Sequence, residues 1–541
     1  MPKSPTKSLL KELSAQLTGE LFFDDLYKSI YATDASVYRI IPLAVAYPKT
    51  KGDLKILIAF ATKNNITLIP RAAGTSLAGQ CVGDGIVVDV SKYFTKILAF
   101  DEKEKTVTVE PGVIRDELND YLKPYGLFFG PNTSTSNRCM IAGMVGNNSS
   151  GTTSIKYGVT RDKIIELKTI LSDGSEVDFN ELSPEEFKQK LSLNTLEGTI
   201  YKTLNKELSN ENTQKEILKE FPKKSIHRRN TGYAVDTLLD TSTFANNDHK
   251  INISKLLCGS EGTLAFTTEI TLKLDLLPPK ERIVLAVHFN SVKESLEAVL
   301  IAMKHNLFMC ELMDKTILDC TINNREQLKN RFFIEGDPEA VLLLEVNDRD
   351  KKEVERQANE LIQDLKDHNF GYAFPKLYNE DIKKATDLRS AGLGLLGNII
   401  GDSKAVACIE DTAVDLQDLP SYINEFTAMM DKYHQKAVYY AHAGAGEIHL
   451  RPLLNLKARE DVVLFKTITL ETAKLVKKYK GSLSGEHGDG IVRGSFIPLM
   501  IGEKNYELLK IIKYTFDPEN IFNKGKIIDA FPMDESLRYA V

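Results

Sequence analysis

The feature that most restricts what this chain can fold into is a recurring local pattern, an apolar strand that runs into a loop of small residues. It first occurs at Ile66–Gly79, Ile-Thr-Leu-Ile-Pro-Arg-Ala-Ala-Gly-Thr-Ser-Leu-Ala-Gly. Side chains that small let the backbone turn sharply and leave a row of N–H groups facing outward, which makes an anion cradle. The loop has no lysine and lacks the G-x-G-x-x-G spacing, so it is neither a P-loop nor a Rossmann turn. Two further loops of this kind follow. One is Gly130-Pro131-Asn132-Thr133-Ser134 leading into Ile141–Gly151, and the other is Cys258-Gly259-Ser260-Glu261-Gly262-Thr263-Leu264. Three such loops are enough to wrap one long, phosphate-bearing molecule.

A chain of 541 residues has room for two or three domains with substantial cores. The net charge of −6 argues against nucleic acid as the main partner, because a backbone-reading surface needs a basic excess. No apolar run approaches the roughly 20 residues that cross a bilayer, and the first residues lack the apolar core of a signal peptide. The expected location is the cytoplasm, with peripheral attachment to the inner membrane compatible with it. The six cysteines are scattered without a C-x-x-C pair, so no zinc ribbon or iron–sulfur site is visible. Cys139 reads as a buried thiol.

Residues 1–30 read as a helical lead-in, with Leu9, Leu10, Leu13, Leu17 and Leu21 at helical spacing. Strand and helix patterns then take turns: a helix at 51–63, strands at 66–70, 85–90 and 105–110, and a helix at 113–123, which implies a mixed α+β domain. Residues 163–172 and 176–179 flank Asp173-Gly174-Ser175 and read as a hairpin. The basic run Lys223–Arg229 reads as a solvated face. Prolines at 278 and 279 mark a boundary, giving divisions at 1–279, 280–480 and 481–541. In the middle division, strands at 283–289, 340–346 and 406–410 alternate with long helices, as in a βαβ-type cap.

The sharpest chemical signal is Ala441-His442-Ala443-Gly444-Ala445-Gly446-Glu447-Ile448-His449. If Gly444 and Gly446 bend the chain into a hairpin, His442 and His449 become cross-strand neighbours about 5 Å apart at Cβ. Imidazoles at that separation can grip one divalent cation, zinc by preference. Ser484-Gly485-Glu486-His487-Gly488 supplies a third ligand. Adjacent residues of an extended segment face opposite ways, so Glu486 is assigned to the metal and His487 is left to act as a base beside a substrate. Arg389 is a candidate for gripping a substrate carboxylate, since a guanidinium fork matches it bidentately. A zinc hydrolase with these same ligands is the alternative from another class.

Over nearly its whole length the chain resembles the flavoenzymes with a vanillyl-alcohol-oxidase type FAD domain, within the branch that acts on D-lactate, glycolate or D-2-hydroxyglutarate. The resemblance rests on Tyr31-Ala32-Thr33-Asp34-Ala35-Ser36 with Tyr38-Arg39, on Pro42 with Ala44-Val45, on the three loops, and on the two histidine motifs. It implies an α+β fold: a two-subdomain FAD-binding domain, an α+β substrate (cap) domain, and a C-terminal segment that returns to the flavin. FAD is expected against Pro70, Arg71, Ala72, Ala73, Gly74, Thr75 and Ser76, then Pro131, Thr133, Gly143, Gly146, Asn147 and Ser149, and finally Gly262 and Asn523. No histidine lies between Pro70 and Gly83, so the flavin is expected to be dissociable. In the family pattern the histidine pair and the glutamate bind metal, the next histidine acts on substrate, and an arginine holds the carboxylate. The implied reaction oxidises a small D-2-hydroxy acid and passes electrons to an iron–sulfur protein, an electron-transfer flavoprotein or a quinone. A homodimer is compatible. A flavin oxidase and a flavin-fold binding protein without turnover are the other readings. Asn230-Thr231-Gly232-Tyr233 resembles a segment near the flavin. Glu410-Asp411-Thr412 and the ending Phe531–Tyr539 resemble larger members with an iron–sulfur module, which is expected here as a separate protein or a further part of a longer product.

Overall fold

In the computed structural model, residues 7–322, 324–395, 400–435 and 437–539 are described. The first six residues, on which part of the N-terminal reading rests, lie outside that set.

The first sheet is small and wraps one end of the cradle. It contains β1 (Glu20–Phe22), β2 (Ala44–Tyr47), β3 (Leu68–Arg71) and β4 (Ile86–Asp89), in the order β1-β2-β4-β3. β4 runs parallel to both neighbours, and all four of its residues are buried. That fits an apolar strand covered on both faces. The helix Lys51–Asn64 crosses between β2 and β3. Thr50 caps it and Asp53 closes a capping box, a contribution of about 1 kcal/mol.

A five-stranded antiparallel sheet comes next: β5 (Ile97–Asp101), β6 (Thr106–Val109), β7 (Ile164–Ile170), β8 (Glu176–Phe179) and β9 (Phe266–Lys273), in the order β5-β6-β9-β7-β8. β7 and β8 form the expected hairpin, and Gly174 supplies the left-handed turn residue at φ 82°.

The third sheet is built around β10 (Glu281–Phe289), β11 (Met309–Asp314), β12 (Ala340–Asp348), β13 (Ala437–His442) and β14 (Glu447–Leu454), in the order β10-β12-β11-β13-β14. Each neighbouring pair is antiparallel. The expected βαβ unit is therefore split. β10 and β11 run the same way, joined by the helix Val292–Ala302, but β12 lies between them. Residues 406–410 form turns instead of the expected strand, because the segment bends to carry two buried carboxylates, Glu410 and Asp411.

One hydrophobic cluster runs through the second and third sheets and the helix Glu503–Phe516. The C-terminal chain returns to β3, where Leu68 N donates to Ile521 O at 2.7 Å and Asn523 N donates to Leu68 O at 2.9 Å. No helix among the described residues is long and apolar enough to cross a membrane.

Candidate functional site

A cleft opens between the first two sheets. Of the residues expected to hold the cofactor, its walls include Pro70, Arg71, Ala72, Ser76, Gly143, Gly146, Asn147 and Gly262. Ala73, Gly74 and Thr75 continue the same loop, while Pro131, Thr133 and Ser149 are not among the residues that line the cleft. Asn523 ties two walls together by donating to Gln80 O and Glu261 O. Gln80, Cys81 and Glu261 also line the cleft and were not foreseen, since a lone polar residue in a small-residue loop carries no signal of its own.

This cleft suits a phosphate-bearing dinucleotide. Backbone N–H groups from Ala73 to Ser76 donate to no acceptor among the described residues. Gly74 and Gly262 sit at φ 66° and 68°, where a side chain would strain the turn, and a Cβ on Gly262 would come within 3.1 Å of Pro70. Glu261 carries a buried carboxyl that burial pushes up to about 8, with nearby Asp489 adding to the rise.

At one side of this cleft the histidine motifs converge. Gly446, at φ 70°, and the single turn Ala443–Ala445 bend the chain so that β13 and β14 pair. The register places His442 opposite Glu447 and His449 opposite Tyr440. The two histidines are thus diagonal, not directly opposed, because four residues, 443–446, connect the paired positions 442 and 447. They still meet, with ring centroids 5.0 Å apart.

Glu486 completes the set. Its Oε1 is 3.3 Å from His442 Nε2 and 3.7 Å from His449 Nε2. The ligand atoms of His442, Glu447, His449 and Glu486 all lie within 4.8 Å of one another, and all four residues are buried. Two imidazoles and one or two carboxylates form a donor set suited to zinc or another divalent cation. His487 Nε2 is only 3.7 Å from Glu486 Oε1, so the two side chains are closer than strict alternation predicts. The loop is curled, with Gly488 at φ 80°, and is not extended.

The curl has a cause. Asp411, itself at φ 77°, accepts from the backbone N–H groups of Glu486 and His487 at 2.8 and 2.7 Å, and from Ser484 Oγ at 2.7 Å. Its neighbour Glu410 places Oε1 2.9 Å from His487 Nδ1 and pairs through Oε2 with Arg451. Burial favours a neutral His487 ring, but Asp411 and Glu410 outweigh it and push the ring up to about 9. For Glu410, burial is opposed by Arg451 and His487, which hold it well below the usual carboxylate range. His449 is driven well down by burial and by the two neighbouring histidines.

Arg228 corrects the reading of the basic run as a solvated face. It is fully buried and reaches Glu447, Gly151 O and Ser154 Oγ, with Glu486 Oε2 3.6 Å away. Its neighbours Lys223, Lys224 and Arg229 pair with Asp418, Asp240 and Asp236. Arg389 is also buried. Its Nη2 contacts Glu311 and Ala441 O, the guanidinium lies 4.2 Å from the Tyr440 ring centre, and Nε has no hydrogen-bond acceptor among the described residues.

Fold and cleft together define an FAD-binding protein. The sequence model for an FAD binding domain matches residues 42–180, and that for the C-terminal domain of FAD linked oxidases matches residues 278–527. The chain thus carries both domains of the FAD-linked oxidases. It is 33% identical to a D-2-hydroxyglutarate dehydrogenase of Haemophilus influenzae over 94% of this chain and 50% of that protein. It is 31% identical to one of Escherichia coli K12, over 98% and 52%. The chain thus spans about half the length of these relatives. The glycolate oxidase subunit GlcD of Bacillus subtilis is 24% identical over 96% of each chain. Among solved structures, p-cresol methylhydroxylase superposes with a TM-score of 0.67 at 12% identity, over 97% of this chain and 98% of that one. This likeness shows the vanillyl-alcohol-oxidase type fold.

Proposed function

We propose that this chain is the flavin-bearing part of an FAD-dependent, metal-assisted dehydrogenase that converts a small D-2-hydroxy acid to the 2-oxo acid. D-2-Hydroxyglutarate is the favoured substrate, with D-lactate and glycolate as the alternatives, since relatives 31% and 33% identical carry that name. The observation that carries this reading is the meeting of His442, His449, Glu486 and His487 beside the cleft formed by the small-residue loops.

FAD, held by the small-residue loops, would supply the acceptor for the hydride from C2. His442, His449 and Glu486 would hold a divalent cation, which when bound would supply Lewis acidity toward the hydroxyl oxygen. The chain's own residues do the rest. Arg389 is held by Glu311 through Nη2, which leaves Nε as a free donor for the C1 carboxylate. His487 Nδ1 lies 2.9 Å from Glu410 Oε1, which leaves Nε2 as the nitrogen placed to take the hydroxyl proton, and with the ring pushed up to about 9 that step is expected to speed up as pH rises. The balance is one proton to His487 and one hydride from C2, which leaves the ketone. Burial of Glu447, Glu486 and His449 keeps water from competing at the reacting atoms. Electrons then pass to an iron–sulfur protein, an electron-transfer flavoprotein or a quinone.

Mixing the purified yellow protein anaerobically with each hydroxy acid tests the proposal. Bleaching of the flavin by a D-2-hydroxy acid, and not by its L form, is the expected result. A yellow protein that no hydroxy acid bleaches would overturn it. Peroxide formed in equal amount to substrate consumed in air would favour an oxidase.

A further inference from the structure

Arg451 stands on the face of β14 that carries Glu447 and His449, because residues two apart on a strand share a face. It differs from the other guanidinium groups of the site. Arg228 has its donors taken by Glu447, Gly151 O and Ser154 Oγ, and Arg389 is sunk against Glu311 and Tyr440. Arg451 is paired through Nε alone, to Glu410, and none of the described residues accepts from its two Nη groups. Its side chain keeps 15% of its surface exposed while Glu410 keeps none. The two Nη groups of the guanidinium are therefore left without a partner among the described residues, and its Nε is pinned.

The pin is shared. Glu410 accepts from Arg451 Nε with Oε2, and its Oε1 lies 2.9 Å from His487 Nδ1 as an ion-pair neighbour without hydrogen-bond geometry, so a single buried carboxylate stands between the ring and the guanidinium. Arg493 in turn donates to Glu410 O at 3.3 Å, which fixes the backbone beneath it. A free two-pronged edge at this position matches a carboxylate.

We propose that Arg451 is the specificity-determining residue that receives a second carboxylate of the substrate, and that Glu410 is the positioning residue that keeps it in register with His487. The substrate class is accordingly a dicarboxylic 2-hydroxy acid. This rests on the dehydrogenase reading above, in which His487 marks the C2 hydroxyl.

The test compares flavin reduction of the holoenzyme by D-2-hydroxyglutarate and by D-lactate. Arg451→Gln is expected to lower kcat/KM for the dicarboxylate by about 10- to 100-fold, mostly through KM, and to lower it far less for D-lactate. Arg451→Lys restores part of the difference. Glu410→Ala lowers kcat with both substrates and collapses the same ratio, and Glu410→Gln recovers part of each. A second readout needs no turnover: glutarate raises the melting temperature of the wild-type protein more than butyrate does, and Arg451→Gln removes that excess. Equal losses for the two substrates in Arg451→Gln, or equal protection of the wild type by glutarate and butyrate, would overturn the role of Arg451. Glu410 variants with an unchanged substrate ratio would overturn the coupling. Absence of reduction by any hydroxy acid in the wild type fails the dehydrogenase reading, and this inference with it, and is distinct from reduction with no preference for the second carboxylate.

Discussion

Glu311 holds His442 by its Nδ1, with both carboxylate oxygens within 3.0 Å, and so turns Nε2 toward Glu486. The same carboxylate pairs with Arg389. Orienting partners of this kind commonly account for 10- to 100-fold in metal affinity. Glu311→Ala is expected to lose divalent-cation affinity on that scale. Leaving Arg389 buried and unpaired adds a stability loss of about 3–5 kcal/mol. Glu311→Gln keeps one acceptor and loses less. Metal titration followed by calorimetry checks both variants, and an unchanged affinity would count against the assigned ligand set.

Removal of His487 should separate chemistry from binding. His487→Ala is expected to retain FAD and slow flavin reduction by about a hundredfold or more, the scale of a lost general base. Stopped-flow absorbance reads the rate, and the visible spectrum reads the flavin. A wild-type rate would refute the role.

Chelation probes the metal independently of mutation. Dialysis against EDTA is expected to leave the protein yellow but slow to bleach with substrate, and added zinc should restore the rate. His442→Ala should behave like the chelated protein. Loss of colour in either case would place His442 at the flavin instead of at a cation.

Gly143 lines the cleft, and a Cβ there would sit 3.7 Å from the Ala72 Cβ, in ordinary contact. Gly143→Leu therefore folds, with helix propensity in its favour, but fills the space meant for FAD. The expected product is colourless, with a melting temperature within a few degrees of the wild-type apoprotein. A yellow variant would show that the flavin lies elsewhere.

Asp314 on β11 gives a pH signature away from the histidine cluster. Burial pushes its carboxyl up to about 6, although Tyr439 N and Ile317 N donate to it. The folded state therefore binds a proton more tightly than the unfolded chain. Stability from this group is present at about pH 4 and is lost as pH rises through 6, a difference on the order of 3 kcal/mol. Asp314→Asn is expected to flatten that part of the profile. Melting curves of both proteins between pH 4 and 7 measure the slope, and parallel profiles would remove Asp314 as its source.

The fold was legible where local chemistry speaks for itself. Leu10 and Leu13 pack inward as their helical spacing requires, and Asp173-Gly174 closes the β7–β8 hairpin. The small-residue loops mark the cleft because only small residues allow such turns. Glu311 and Glu410 were not legible as partners of His442 and His487. Each lies far away in sequence, and an isolated glutamate looks the same whether it is solvated or buried. Arg228 was misread for the same reason, since a charge run looks like surface until a distant carboxylate is brought to it.

By itself, the sequence determined the α+β alternation, the turn chemistry and which histidine and carboxylate side chains are the candidates for a cation and for acid–base work, since these depend on periodicity and residue type over short stretches. Only the tertiary structure decided which groups face one another: the diagonal of His442 and His449, the clamp of Asp411 on the Glu486 loop, the sharing of Glu410 between His487 and Arg451. Those relations depend on the burial of segments far apart in the chain. There the cost of leaving a charge unpaired selects one partner out of many, and no short stretch of sequence records that choice.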